Sequence, residues 1–270
     1  KDIAQEHVLK ALEPIWKQKT ETATRLRGRI ESVLDWAAVR KYRAGDNPAR
    51  WKGHLDKLLP APSKIQKVEH HRALPAAQMP TFISDLQTRE GIAARALEFA
   101  VLCAARSGEV RGARWSEIDM VTGVWVVPAQ RMKAGKEHRV PLSTQAMALL
   151  KALPRATESA LVFDTNQGKP LSDMALTSVL RRMKVDAVPH GFRSTFRDWA
   201  GEMTNHPREI AEQALAHALE NKVEAAYRRG DALEKRRAMM QDWADFCYPK
   251  VATPPALKLS DAFTGGKRAG

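Results

Sequence analysis

The chain has little of what marks a secreted or membrane protein. Only two of its 270 residues are cysteines, Cys103 and Cys247, and they stand far apart in apolar surroundings. This excludes a disulfide framework and predicts buried thiols in a reducing cytoplasm. No apolar run approaches the roughly 18 residues that a membrane span requires, and no signal peptide opens the chain. We therefore expect a cytoplasmic protein, cut from a longer chain because a helical pattern starts at once.

Metal ligands and tyrosines are also scarce. His70 and His71 are adjacent, but no carboxylate or cysteine stands near them at the spacing of a metal-binding motif. We therefore expect neither a metal nor another cofactor. The chain holds only three tyrosines, Tyr42, Tyr227 and Tyr248, so a tyrosine in an unusual setting needs an explanation.

Positive charge, in contrast, is abundant and evenly spread. The formal net charge is +13 and the sequence pI is about 9.9. Residues 1–70 hold 15 Lys and Arg against 9 Asp and Glu, and the remainder holds 29 against 22, so the two parts carry +6 and +7. Two basic regions suit a polyanion held from both sides, and nucleic acid is the obvious candidate. A merely basic protein is the alternative.

Apolar periodicity predicts an α-helical first region with a basic face. Helical spacing recurs from Ile3 to Trp16 and from Glu21 to Val39. Asn47-Pro48 is typical of the start of a further short helix. Basic residues follow the polar side of the second helix, where DNA contact and an ordinary solvated face are both open. The basic residues that we assign to DNA contact there are Arg25, Arg29, Arg40 and Lys41.

The rest of the chain is predicted to form a linker followed by a larger domain. Three prolines between residues 60 and 75 predict the linker. Extended pieces at 124–127 and 139–142 enclose a Gly-containing turn, so we expect a small antiparallel sheet with Lys133 near a hairpin tip. Helices are predicted around it, at 81–86, 92–105, 143–153, 171–185, 190–203 and 233–246. The predicted boundaries are 1–60 for the helical domain, 61–75 for the linker, 76–250 for the second domain and 251–270 for a C-terminal tail.

One stretch, residues 188–231, concentrates groups that suit phosphate chemistry. In order they are His190, Arg193, His217, Tyr227 and Arg228. Breaking a phosphodiester without a metal needs a nucleophile, cations on the non-bridging oxygens and an acid for the leaving oxygen. A tyrosine phenol can attack and store the bond energy as a phosphotyrosine. Tyr227 is predicted on a short helix, although taken alone it is also typical of a surface tyrosine.

Residues earlier in the chain could complete such a site. Arg106 and Arg193 lie among apolar residues, where an unpaired guanidinium is costly, and the planar fork of arginine suits phosphate. Glu109, three residues after Arg106, could pair with it and orient it. Lys133 could reach a groove or a leaving oxygen, although its basic neighbours make a plain basic turn an equal alternative.

In order and spacing, five motifs resemble those of the tyrosine recombinases, specifically integrases of prophages and genomic islands. The motifs are ARSGEVRGARW (105–115), RMKAGKEHRVPLS (131–143), HGFRSTFRDWA (190–200), ALAHALENKVEAAYRRGD (214–231) and QDWADF (241–246). The resemblance covers almost the whole chain. It implies a mainly α fold: an all-helical core-binding domain and a mostly helical catalytic domain with a small antiparallel sheet, clamped around a DNA duplex.

The resemblance also implies a role for each site residue. The implied roles are phosphate binding by Arg106 and Arg193, protonation of the leaving 5′ oxygen by Lys133, hydrogen bonding and proton transfer by His190 and His217, orientation of the site by Glu109, and formation of a 3′-phosphotyrosyl link by Tyr227. Further DNA contact is expected from Arg228 beside the nucleophile.

The activity implied is integration and excision of a prophage or genomic island. The implied partners are double-stranded DNA with a core-type attachment site, three further copies in a tetramer, a DNA-bending protein and an excision factor, with no membrane. Such a protein would be found on the bacterial nucleoid when bound. Two alternatives stay open: a type IB topoisomerase or resolvase with the same chemistry, and a DNA-binding relative that has lost catalysis.

The sequence departs from the family pattern in two places. Thr and Gly often precede the first arginine, where Ala104 and Ala105 stand here; we expect this to affect packing more than chemistry. Relatives also carry an N-terminal domain for arm-type sites, and we expect this domain to be absent here. We therefore expect cleavage at a core site without regulated integration.

Overall fold

The computed structural model describes residues 3–65, 71–154, 160–165, 168–217 and 230–248. The chain divides into two compact units, Lys1–His70 and His71–Gly270. Each unit has its own cluster of buried apolar side chains. The fold is mainly α with one small antiparallel sheet, which confirms the predicted fold class. None of the helices in these ranges has the length and apolar character that a membrane span demands.

Two helices, α1 (Gln5–Trp16) and α2 (Thr20–Val39), form most of the first unit. In α1 the side chains of Val8, Leu12 and Trp16 are buried at helical spacing, as the periodicity predicts. In α2 only Leu34 among the large apolar side chains is fully buried, Leu26 and Ile30 are partly buried, and Val33, Trp36 and Val39 are exposed. Trp16 stacks on Trp51 with 5.5 Å between ring centroids, and its indole nitrogen donates to the carbonyl of Pro60 at 3.0 Å. The segment after α2 is thereby held against α1.

The prediction of a short helix starting at Asn47 is wrong. The chain there makes turns and only one 3₁₀ helix, Leu55–Lys57. The side-chain oxygen of Asn47 accepts from the backbone N–H of Ala49 at 2.9 Å, which forms a turn. Its amide donates to the carbonyl of Glu31 at 2.8 Å and to the carboxylate of Asp35 at 2.7 Å. Asn47 therefore fastens the turn to α2, and no helix starts from it.

The segment 61–75 contains a short helix, α3 (Pro62–Ile65), and Ile65 packs against the core of the first unit. From residue 71 the chain packs on the second unit. The carbonyl of Arg72 accepts from the backbone N–H of Val188 at 3.1 Å, and that of Leu74 from the hydroxyl of Thr195 at 2.6 Å. The linker and the domain boundaries themselves stay a prediction.

The second unit is built around one apolar helix, α5. Most side chains of α5 are buried, because other helices cover it from several sides. The helices of this unit are α4 (Met79–Gln87), α5 (Ile92–Leu102), α6 (Ser107–Arg111), α7 (Thr144–Ala152), α8 (Ala175–Arg182), α9 (Gly191–Glu202), α10 (Arg208–Ala214) and α11 (Leu233–Cys247). Six of them, α4, α5, α7, α8, α9 and α11, correspond to the predicted helices, and their ends differ from the predicted ends by up to four residues, as terminal turns commonly do.

The sheet has three antiparallel strands in the order β1 (Ile118–Asp119), β2 (Val124–Val127) and β3 (His138–Pro141). Trp125 lies at its centre, paired with Ile118 on one side and Val140 on the other, and is fully buried. The predicted small antiparallel sheet is confirmed. Lys133 lies in the loop between β2 and β3, with its side chain exposed.

Candidate active site

Arg193 is a buried cation on the inner face of α9, only 4% exposed. Its guanidinium donates to the carbonyl of Ala104 at 2.5 Å and to that of Leu215 at 2.6 Å. Burial, together with repulsion from Arg106, lowers the pKa of Arg193 to about 10. It is therefore still a cation at neutral pH, held by backbone carbonyls. Its Nε has no hydrogen-bond partner in the described ranges, so one donor is left over.

Arg106 stands at the N-terminal cap of α6 and is oriented by Glu109. The guanidinium donates to one carboxylate oxygen of Glu109 at 2.7 Å, and the other oxygen accepts the backbone N–H of Arg106 at 3.0 Å. The buried Glu109 thus caps the helix and pairs with the arginine, as the sequence suggested. Ala104, two residues earlier, has φ +47°, a left-handed conformation that glycine adopts without strain.

The turn that ends α10 brings the two arginines together. Carbonyls at a helix C-terminus lack partners inside the helix and carry partial negative charge. The carbonyl of Leu215, which accepts from Arg193, lies 3.5 Å from a guanidinium nitrogen of Arg106. The same nitrogen lies 3.4 Å from the carbonyl of Ala216, where φ of +48° turns the chain. Two groups of like charge are thus held side by side on backbone oxygens.

His217 follows this turn and contacts both a cation and an anion. Its Nε2 lies 3.2 Å from a guanidinium nitrogen of Arg193, and its Nδ1 lies 2.6 Å from the carboxylate of Glu212. The other oxygen of Glu212 accepts from Nε of Arg197 at 2.6 Å. We did not single out Glu212 from the sequence. A carboxylate five residues before His217 was the available signal, and it is a weak one.

His190 stands at the start of α9 and packs edge to face on His71, with 4.6 Å between ring centroids. Burial, followed by the positive charges of Arg193 and His71, lowers the pKa of His190. Its neighbour Gly191 is required by close packing, because a Cβ there would lie 2.1 Å from the carbonyl oxygen of Arg72. The sequence drew attention to His71 only as a metal ligand, whereas here it is a neighbour of the candidate site.

His138, on β3, is a second residue that sequence reasoning missed. Burial and the nearby charge of Arg236 lower its pKa to about 4, although Glu109 and a hydrogen bond to the backbone of Ala214 act in the opposite direction. It is therefore a neutral imidazole beside the last turn of α10. Its burial follows from its place on the sheet, which the extended pattern indicated without showing what would cover it.

The remaining predicted residues are not joined to this cluster by any described contact. Lys133 makes no hydrogen bond or ion pair with other described residues, and Tyr227 and Arg228 lie outside the described ranges. The other two tyrosines have structural neighbours. Tyr42 packs on Trp36 at 5.7 Å between centroids, and the hydroxyl of Tyr248 donates to the carboxylate of Glu98.

In the first unit, the basic residues of α2 and its C-terminal end are exposed, as predicted for a solvated or DNA-binding face. These are Arg25, Arg29, Arg40 and Lys41. Arg25 pairs with Glu21 at 2.5 Å, but both side chains are more than two-thirds exposed, at 72% and 71%. The guanidinium of Arg40 lies over the ring of Trp36, 5.5 Å from its centroid. These cations have few fixed partners and remain available to a polyanion.

The family follows from comparison with known proteins. Residues 72–234 match the model described as the phage integrase family, and residues 1–54 match the phage integrase central domain. The first match alone covers more than half of the chain. The chain therefore belongs to the phage integrase family.

Curated relatives carry integrase names. The integrase of Enterobacteria phage P4 is 32% identical over 271 residues, covering 91% of this chain and 60% of the relative. Prophage integrase IntZ of Escherichia coli (strain K12) is 32% identical over 249 residues, covering 90% and 60%. The chain spans about three fifths of the length of these relatives.

Solved structures share the fold. A lambda integrase dimer bound to a COC′ core site matches with a TM-score of 0.59 at 16% identity, covering 81% of this chain and 80% of that chain. A lambda integrase tetramer bound to a Holliday junction matches with a TM-score of 0.59 at 17% identity, covering 82% and 66%. At such identities the likeness establishes the architecture alone.

Proposed function

We propose that this chain is the recombining part of a site-specific DNA integrase, which cuts and rejoins DNA strands to integrate and excise a prophage or genomic island. One observation carries the proposal: two guanidinium groups are held on the carbonyls of Leu215 and Ala216, beside His217. Donors fixed in advance around one point suit the charge that develops on a phosphate during displacement. Family membership and the integrase relatives support the same activity.

In the proposed reaction, Tyr227 attacks a backbone phosphate. A bond forms between its Oη and phosphorus while the bond from phosphorus to the 5′ oxygen breaks, which leaves a 3′-phosphotyrosyl link. The phenol proton passes to a histidine, and the ammonium group of Lys133 gives a proton to the leaving 5′ oxygen. The reverse displacement by a 5′ hydroxyl rejoins a strand.

The proposed clamps on the phosphate are Arg106 and Arg193, with Glu109 orienting Arg106. Each arginine already has hydrogen bonds that fix its plane, so little side-chain freedom is lost when phosphate binds. His190 and His217 are proposed to complete the anion site. Tyr227 is proposed as the nucleophile from its family motif; of the other two tyrosines, Tyr248 has its hydroxyl engaged by Glu98 and Tyr42 packs on Trp36.

The proposed partner is duplex DNA carrying a core-type site. Arg25, Arg29, Arg40 and Lys41 would contact its phosphates from the first unit, and Arg228 from beside the nucleophile. Because lambda integrase structures include a dimer on a core site and a tetramer on a Holliday junction, we also propose that four copies act together. A DNA-bending protein and an excision factor are proposed helpers.

One experiment tests the proposed nucleophile. The protein is incubated with a nicked suicide duplex that carries its core site, and covalent protein–DNA adducts are resolved in SDS. The wild type should form an adduct, Tyr227→Phe should form none, and the matched control Tyr42→Phe should behave like the wild type. An adduct of equal yield with Tyr227→Phe would remove Tyr227 from the reaction.

The same preparation separates the alternatives. A catalytically inactive DNA-binding relative would bind the duplex and form no adduct at all. A type IB topoisomerase would form the adduct and relax supercoiled plasmid of any sequence, whereas an integrase should recombine only DNA that carries its site.

A further inference from the structure

We propose that Glu212 is a positioning residue that fixes His217 with its proton on Nδ1, so that Nε2 is the nitrogen that accepts a proton beside the two arginines. The inference rests on the proposed function, since it specifies how His217 assists proton transfer in that site. It concerns a carboxylate that neither the sequence motifs nor the implied family roles include.

The hydrogen-bonding groups around His217 allow one neutral form. A guanidinium can only donate, so Nε2, 3.2 Å from Arg193, must be the acceptor. An ionised carboxylate can only accept, so Nδ1, 2.6 Å from Glu212, must carry the hydrogen. The opposite tautomer would direct an N–H at a guanidinium and a bare nitrogen at a carboxylate. Both contacts would then be repulsive.

Glu212 is itself held in place. Its side chain is 18% exposed, and Nε of Arg197 donates to the oxygen that does not face His217, at 2.6 Å. Burial raises the pKa of Glu212, but the hydrogen bonds from Arg197 and His217 outweigh it, so the pKa is lowered overall. Glu212 is therefore a carboxylate at neutral pH, fixed by α9 on one side and in contact with His217 on the other.

The charge around His217 explains why a carboxylate is needed. The positive groups nearby are Arg193 on α9, Arg106 at the start of α6, and His190 when protonated. A proton taken up at Nε2 from the phenol of Tyr227 would replace the hydrogen bond from Arg193 and create an imidazolium among these cations. The negative charge of Glu212, in direct contact with Nδ1, offsets that repulsion, as a buried carboxylate does for the histidine of a serine protease triad.

The first test observes the free protein, without DNA. In the 270-residue chain labelled with ¹⁵N-histidine, the wild type should show His217 with a protonated Nδ1 and a bare Nε2, assigned by loss of these signals in His217→Asn. In Glu212→Gln the negative charge that favours the hydrogen on Nδ1 is lost and the amide can also donate to Nδ1, so the fraction of the opposite tautomer should rise, although the contact with Arg193 still favours a bare Nε2. Glu209→Gln, on an exposed residue of the same helix, should leave the His217 signals unchanged. Unchanged signals in Glu212→Gln would overturn the inference.

The second test uses the suicide duplex. Glu212→Gln should slow adduct formation about 10- to 100-fold near pH 7, a range typical for loss of a residue that orients a functional histidine, and should change the shape of the pH–rate profile. Arg197→Gln, which loosens Glu212 without touching His217, should act in the same direction but less. A tautomer change without any loss of rate would overturn the positioning role. Absence of an adduct with wild type would instead overturn the proposed function, independently of the histidine signals.

Discussion

Two sets of cations in this protein are held in opposite ways. Arg106 and Arg193 are held by backbone carbonyls and a buried carboxylate, so their positions exist before any ligand binds. Within the described ranges, the side chain of Arg25 on α2 has only an exposed ion pair, and that of Arg40, just after α2, has only a ring contact. The first set suits stabilisation of developing charge at one point, and the second suits diffuse attraction to a polyanion.

The difference indicates where binding energy and catalytic energy reside in the molecule. A buried cation must have its desolvation offset by fixed partners, and those partners also fix its geometry. An exposed cation gains little from any one partner, because water and salt screen it. Substitutions in the two sets should therefore differ in size and in kind.

The largest effect is expected from Arg193→Lys. Lysine keeps the charge but donates from a single point, so it cannot hold the carbonyls of Ala104 and Leu215 and a phosphate together. Adduct formation on the suicide duplex should fall about 10²- to 10³-fold, the usual loss for one fixed donor at a developing oxyanion. The matched control is Arg182→Lys on the exposed surface of α8, which should keep the wild-type rate. Equal rates of adduct formation for Arg193→Lys and Arg182→Lys would show that a positive charge at position 193 is sufficient, without the two-point donation of arginine.

A smaller effect, on the free energy of unfolding, is expected from protonation of His138 at acidic pH. Its folded-state pKa is about 4, below the usual value of about 6.5. Between these values the unfolded chain binds a proton that the folded chain does not, so stability is lost as the pH falls. The loss should reach about 3 kcal/mol. In urea unfolding near pH 7 and pH 4.5, His138→Gln should lose correspondingly less stability than wild type on acidification.

The control for this titration is His7→Gln, because His7 is exposed on α1. It should follow the wild-type pH dependence. If His138→Gln loses as much stability as wild type between the two pH values, then burial and the charge of Arg236 do not lower the pKa of His138 in the folded protein.

Local patterns predicted most of the helices, the sheet and the pairing of Arg106 with Glu109, because these depend on spacing within a few residues. Arg106 and Glu109 are three apart, and the cap of a helix places them together. The carbonyl of Leu215 could not be foreseen, since every residue has one and only the packing of α10 against α9 selects it. The helix predicted from Asn47 was wrong for the same reason, because the hydrogen-bond partners of Asn47 lie on α2. Glu212 and His138 gained their roles from neighbours that are distant in sequence.

The smallest effect is expected from the exposed cations of α2 and its C-terminal end. Arg29→Gln and Lys41→Gln should each weaken binding to a core-site duplex by less than about 1 kcal/mol, and each should reduce the slope of log affinity against log salt by about 0.9 if it contacts one phosphate. Cleavage at saturating DNA should not change, because these residues are proposed only to attract and position the duplex. Lys10→Gln, on the exposed surface of α1, removes the same charge from the same unit and should leave the slope nearly intact. A reduction as large for Lys10→Gln would mean that the first unit attracts DNA through its total charge, without a DNA-binding face on α2.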